Sequence, residues 1–170
     1  MSEGCTGRLL HEDDLPTILR WRNHPNVRRY MLTQHEISLA EHTRWFEKAR
    51  SDRNRCLLLV QDHKRPIGYV QFAQVCVGGV ADWGFYADPE APKGSGTKIG
   101  TAGLRHAFEQ LHLHKVNGQA FDFNEASIAL HRRLGFRHEG RLREQQRVDH
   151  GYHDLMLFGL LAREWAPPLE

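Results

Sequence analysis

Asp88-Pro89-Glu90-Ala91-Pro92-Lys93-Gly94-Ser95-Gly96-Thr97-Lys98 divides the chain into two grammars. Before it, strand-like runs follow one another through polar connections too short for a crossover helix; after it, strands and helices alternate. Gly94 and Gly96 come after the run Val80–Ala87 and open a helical pattern carried by Ile99, Gly103, Ala107 and Leu111. Glycines there let successive backbone N–H groups turn toward one concavity, and the positive end of the helix adds attraction for phosphate. Lys93, Thr97 and Lys98 supply side-chain donors. The spacing is not that of a G-x-x-x-x-G-K-[ST] loop, and a G-x-G-x-x-G dinucleotide turn fails at Ile99. A short G-x-G turn is often a plain loop, so the elements around it decide its meaning.

Upstream, residues 7–10 predict a short strand. Asp13 and Asp14 can cap a helix bearing Leu15, Ile18, Leu19 and Arg22, which Pro25 ends. Ser38-Leu39-Ala40-Glu41 has capping-box spacing and predicts a helix over residues 38–50. Strands over 56–61, 67–77 and 80–87 then form an antiparallel meander. Downstream come a strand at 115–121, a helix at 124–134 with Asn124 as cap and Gly135 beyond it, and a strand opened by Phe136. A hairpin turning at Asp149-His150-Gly151 closes the chain. The whole reads as one α+β domain over residues 1–170, with an ordered core at about 7–163 and irregular ends at 1–6 and after Trp165.

Composition narrows the function classes. The 170 residues carry 23 Lys+Arg against 21 Asp+Glu, a net charge of +2. That balance argues against a general nucleic-acid binder. No run approaches the roughly 20 apolar residues of a membrane helix, and residues 1–5 lack the basic-then-apolar pattern of a secretory leader. A cytoplasmic setting is expected. Three cysteines, widely spaced and without a C-x-x-C pair, favour neither a disulfide framework nor a zinc finger. Cys56 and Cys76 read as buried strand residues. Twelve histidines stand out. Glu109, His112 and His114 cluster in sequence, but residues two apart on a helix do not face one another, so no metal is expected.

Beyond the glycine loop stands Asn124-Glu125-Ala126-Ser127-Ile128-Ala129-Leu130-His131-Arg132-Arg133-Leu134-Gly135-Phe136. Strand, glycine turn, helix, strand and then this N…A-L-x-x-x-x-G-F helix resemble the acetyl-CoA-binding half of the GNAT acetyltransferases. Trp21-Arg22-Asn23-His24-Pro25-Asn26, Glu36-Ile37-Ser38-Leu39 with His42, His114-Lys115 and Glu139-Gly140-Arg141-Leu142-Arg143 extend the likeness to the PseH-type branch, over residues 8–163. That branch acetylates the 4-amino group of a UDP-linked 4-amino-4,6-dideoxy sugar on the way to pseudaminic acid.

The resemblance implies a mixed, mostly antiparallel sheet flanked by helices, in which a bulged strand splays from its neighbour to admit the pantetheine arm. The edges would be Phe85-Tyr86-Ala87 and residues 118–122. Backbone N–H groups of Gly94, Ser95, Gly96 and Thr97 would hold the pyrophosphate. Lys93, Lys98, Arg132 or Arg133 would meet the 3′-phosphate, and Asn124, with Ser127 on the same helix, would face the pantetheine. Ala91 stands where the superfamily usually has Gln or Arg. Arg22, Asn23, His42 and Tyr86 would contact the UDP-amino-sugar, and a homodimer is admitted. His131 takes the place of the usual tyrosine acid, so a histidinium at 131, or else Tyr86, would protonate the departing thiolate. Two rivals stay open: an acetyltransferase for protein N-termini or ribosomal proteins, and a catalytically silent CoA-binding module.

Overall fold

The computed structural model describes residues 4–167. The irregular ends expected at residues 1–3 and 168–170 lie outside the described residues. Seven strands form one sheet in the order β1-β2-β3-β4-β5-β7-β6. They are β1 (Thr6–Leu9), β2 (Arg55–Asp62), β3 (Arg65–Ala73), β4 (Val80–Ala87), β5 (Lys115–Phe121), β6 (Arg137–Val148) and β7 (Gly151–Leu161). Every neighbouring pair is antiparallel except β4 and β5. Five α-helices flank the sheet: α1 (Leu15–Asn23), α2 (Pro25–Arg28), α3 (Leu39–Ser51), α4 (Ser95–Arg105) and α5 (Glu125–Arg133).

Alternation along the strands sends side chains to two cores. Leu58, Val60, Val70, Phe72 and Trp83 pack with Ile99 and Leu104 beneath α4, joined by Ile128 and Leu134 around α5. Leu57, Leu59 and Tyr69, one residue out of phase, pack with Ile18, Trp21 and Phe46 of α1 and α3. Each fully buried Leu, Ile or Phe contributes about 1.5–3 kcal/mol. Two expected caps form: Ser38 Oγ accepts from Glu41 N–H, and Asn124 Oδ1 accepts from Ser127 N–H. The reciprocal half of the Ser38 box does not, because the Glu41 carboxylate is taken by His35, and Asp14 stands at the N-cap of α1 without a side-chain cap bond because its carboxylate pairs with Arg8.

Three expectations change. β3 ends at Ala73, because Gln74 takes a positive φ of 62° and turns the chain away. Cys76 therefore lies exposed beyond the strand, whereas Cys56 is buried as expected. No bulge interrupts β4, whose register with β3 is unbroken from Gly68↔Ala87 to Ala73↔Asp82. The splay itself is present. β4 and β5 pair only over Val80–Asp82 and Lys115–Asn117, after which β4 stays with β3 and β5 with β7.

Candidate active site

Where β4 and β5 part, the backbone edges of Trp83–Ala87 and Gly118–Phe121 that would continue the β4–β5 ladder are unpaired with one another. A cavity of about 890 Å3 fills this gap and opens on both faces of the sheet. Its lining on the α4/α5 face includes Phe85, Gly94, Gly96, Thr97, Ser127 and Arg133; on the α1/α3 face it includes Arg22, His42, Trp45, Tyr69 and Tyr86. The two halves meet through the gap.

The donor half is built on the N-terminus of α4. Gly94 caps it with φ 92° in the left-handed region, a conformation that strains any other residue. Ala87, Gly94, Gly96, Thr97, Asn124, Ser127 and Arg133 reach the cavity as expected. Arg133 Nη1 donates to Thr97 Oγ1 at 3.2 Å, which holds a cation beside the helix end. Ser95 does not take the expected part, because its N–H and its hydroxyl both donate to Pro92 O and close the turn. Lys98 points the other way and pairs with Asp62. Lys93 and Arg132 are exposed and lie outside the lining.

The acceptor half carries a cation that forms no close ion pair among the described residues. Arg22 Nη2 donates to Thr33 O at 3.0 Å, while Nη1 is buried and has no hydrogen-bond partner among the described residues. Burial, first of all, lowers the Arg22 pKa, yet a guanidinium stays charged. His42 is 5% exposed, stacks on Trp45 at 5.0 Å and leaves Nδ1 unpartnered. Tyr86 Oη lies 3.5 Å from Ile18 O, and burial raises its pKa. Asn23 does not face the cavity. Its amide donates to Ile37 O and accepts from Ile37 N–H, both at 2.8 Å, and so clamps the loop after α2. Tyr69 and Gln71, joined by a 3.1 Å hydrogen bond, complete the wall. Period-two spacing with Leu57 and Leu59 across the meander is the signal that would have found them.

His131 is 1% exposed. Its Nε2 accepts from Trp83 Nε1–H at 3.1 Å, and its Nδ1 meets Ser127 O at 2.8 Å. An indole N–H can only donate and a carbonyl can only accept, so Nδ1 carries the single proton. Burial also lowers the His131 pKa, against the opposing bond to Ser127. The histidinium expected from sequence is therefore corrected: the ring is neutral, and its proton is aimed at a backbone carbonyl.

The family model for the acetyltransferase (GNAT) domain matches residues 7–137. The chain belongs to the GNAT family. It is an N-acetyltransferase whose donor is acetyl-CoA, and the splayed edges, the α4 terminus and Arg133 fit that donor. The PseH acetyltransferase of Campylobacter jejuni is 28% identical over 127 residues, covering 75% of this chain and 79% of the relative. The putative ribosomal N-acetyltransferase YdaF of Bacillus subtilis is 42% identical over 62 residues, covering 36% and 34%. Among solved structures, the spermidine N-acetyltransferase of Vibrio cholerae in complex with CoA and spermine matches with a TM-score of 0.87 at 25% identity, covering 96% of this chain and 98% of that one. Among the described residues, no helix of this GNAT chain is long and apolar enough to cross a membrane, and no His/Cys/Asp/Glu group could hold a metal ion.

Three histidines of this GNAT domain, His42, His106 and His131, have pKa values lowered from 6.5, each chiefly by burial. The unfolded chain takes up protons on them as pH falls through 6.5 while the folded chain resists, so acid favours unfolding. The urea midpoint, followed by tryptophan fluorescence, is expected to decline between about pH 7 and pH 5 and to be level from about pH 7 to pH 8. A midpoint unchanged between pH 7 and 5 contradicts the burial of these rings.

Proposed function

We propose that this enzyme transfers the acetyl group of acetyl-CoA to the 4-amino group of a UDP-linked 4-amino-4,6-dideoxy sugar, the acetylation that pseudaminic acid biosynthesis requires. The observation that carries this reading is Arg22, whose buried Nη1 has no partner at the head of the acceptor half. A diphosphate supplies the acceptor oxygens that such a fork demands. A polyamine, which is itself a cation, would meet repulsion there. The carboxylate that acts on Arg22 is Glu41, which lines the same cavity as does Asp88, and Glu41 is also bonded by His35 at 2.9 Å. The likeness to PseH points the same way. A cytoplasmic setting belongs to the same reading.

Both halves of the cavity are continuous, which supports direct transfer with both substrates bound. No cysteine lines the cavity, and the Cys56 thiol, pushed up to about 11 by burial, lies in the core. The C–N bond forms as the C–S bond breaks, and one proton leaves nitrogen as one reaches sulfur. The balance closes without a charged side-chain acid. An amine beside electron-withdrawing ring oxygens is less basic than lysine, so enough of it is neutral near pH 7. Tyr86, kept protonated by its raised pKa, offers its hydroxyl as a donor that holds the acceptor.

Thiol release from acetyl-CoA tests the reading with three acceptors: a UDP-4-amino-4,6-dideoxy sugar, spermidine and a peptide with a free N-terminus. Saturable release is expected with the sugar nucleotide. Release with the peptide or spermidine alone favours the relatives named for those acceptors, and CoA binding without turnover on any amine favours a silent module.

A further inference from the structure

We propose that His131 and Trp83 form a clasp that sets where β4 and β5 diverge, and with it the width of the slot that receives the thioester, so that His131 is a positioning residue. The pairing of the two strands ends at Asp82↔Asn117. The next residues are Trp83 and Gly118. A Cβ on Gly118 would lie 2.4 Å from His131 Nε2 and 2.7 Å from Trp83 Nε1, so the two rings occupy the space directly over that glycine. Glycine is required here for close approach.

The clasp joins three elements at the point of divergence. Trp83 Nε1–H ties β4 to the imidazole, Nδ1–H ties the imidazole to Ser127 O of α5, and both rings rest over β5. The imidazole is further fixed by Phe158, stacked at 4.9 Å, and by Phe136 and Phe85 at 5.0 and 5.8 Å. None of the rings packed on it titrates in the neutral range. A second proton on Nε2 would point at the indole N–H, so the clasp holds only with a neutral ring. Phe85, two residues beyond Trp83 on the same strand, lines the cavity. The clasp thus holds one wall of the donor slot directly. It concerns the donor half and stands whichever amine is acetylated.

Two measurements test it. In protein labelled with 15N-histidine, one ring is expected to show the Nδ1–H tautomer, unchanged from about pH 5.5 to pH 8.5. Its absence from the spectrum of His131→Gln assigns the ring among the twelve histidines, and no acceptor is needed. Then His131→Gln, whose amide oxygen can accept from Trp83, is compared with His131→Leu, which leaves the indole N–H buried and bare. Leucine is expected to weaken acetyl-CoA binding, read by calorimetry, about tenfold and to shift tryptophan emission, and glutamine to recover most of that loss. In the thiol-release assay, kcat on the acceptor turned over follows the same order. A ring at His131 that titrates near 6.5 or carries its proton on Nε2 overturns the clasp. So does an equal loss of kcat in both variants, of about 100-fold or more at unchanged acetyl-CoA affinity, which is the signature of a proton donor.

Discussion

Arg22→Ala is expected to raise KM for the UDP-linked amino sugar about 10- to 100-fold while leaving KM for acetyl-CoA within about twofold. Of the two terminal nitrogens, Nη2 is bonded to Thr33 O and Nη1 is buried without a partner among the described residues, so the group is anchored on one side and bare on the other. Removing it deletes the charge-assisted bonds to an anionic acceptor and touches nothing in the donor half. Arg22→Lys keeps the charge without the fork and should fall between the two. Steady-state kinetics with each substrate varied in turn check this. A variant that loses acetyl-CoA affinity instead would place Arg22 in the wrong half of the cleft.

Gly118→Ala is the most damaging single methyl group the structure offers at the site. Its Cβ would sit 2.4 Å from His131 Nε2 and 2.7 Å from Trp83 Nε1, in a pocket closed by Phe136 and Phe158. Neither ring is the free end of a flexible chain, so the strain cannot be relieved cheaply. A stability loss of about 1–3 kcal/mol is expected from overpacking, together with weakened acetyl-CoA binding because the clasp must open. Urea denaturation gives the first quantity and calorimetry the second. Full stability with unaltered binding would show that the rings can move freely and that nothing is clasped.

Much of the fold was legible because its signals are local. Asn124, seven residues before His131, caps its helix, and the strand expected over residues 115–121 forms with those bounds. The meander was readable because its connections are too short for anything else. What failed depends on distant contacts. Resemblance puts Asn23 at the sugar nucleotide, but its amide is spent on Ile37, which lies in a loop with no regular period. Lys98 follows the glycines closely in sequence but lies in the first turn of α4, where helical rotation carries it to Asp62 rather than toward the cavity. Resemblance makes His131 a histidinium acid, whereas Trp83, Phe136 and Phe158 close around the ring above Gly118 and its two hydrogen bonds call for the neutral form. The splay itself was anticipated by resemblance, although no bulge produces it.

Under the proposed function the acceptor half takes a nucleotide diphosphate through Arg22. Calorimetric titration of UDP, which carries no amine, into the CoA-saturated enzyme tests it without turnover. Saturable one-to-one binding that is lost in Arg22→Ala is predicted. No binding of UDP under conditions where spermidine binds would contradict the account.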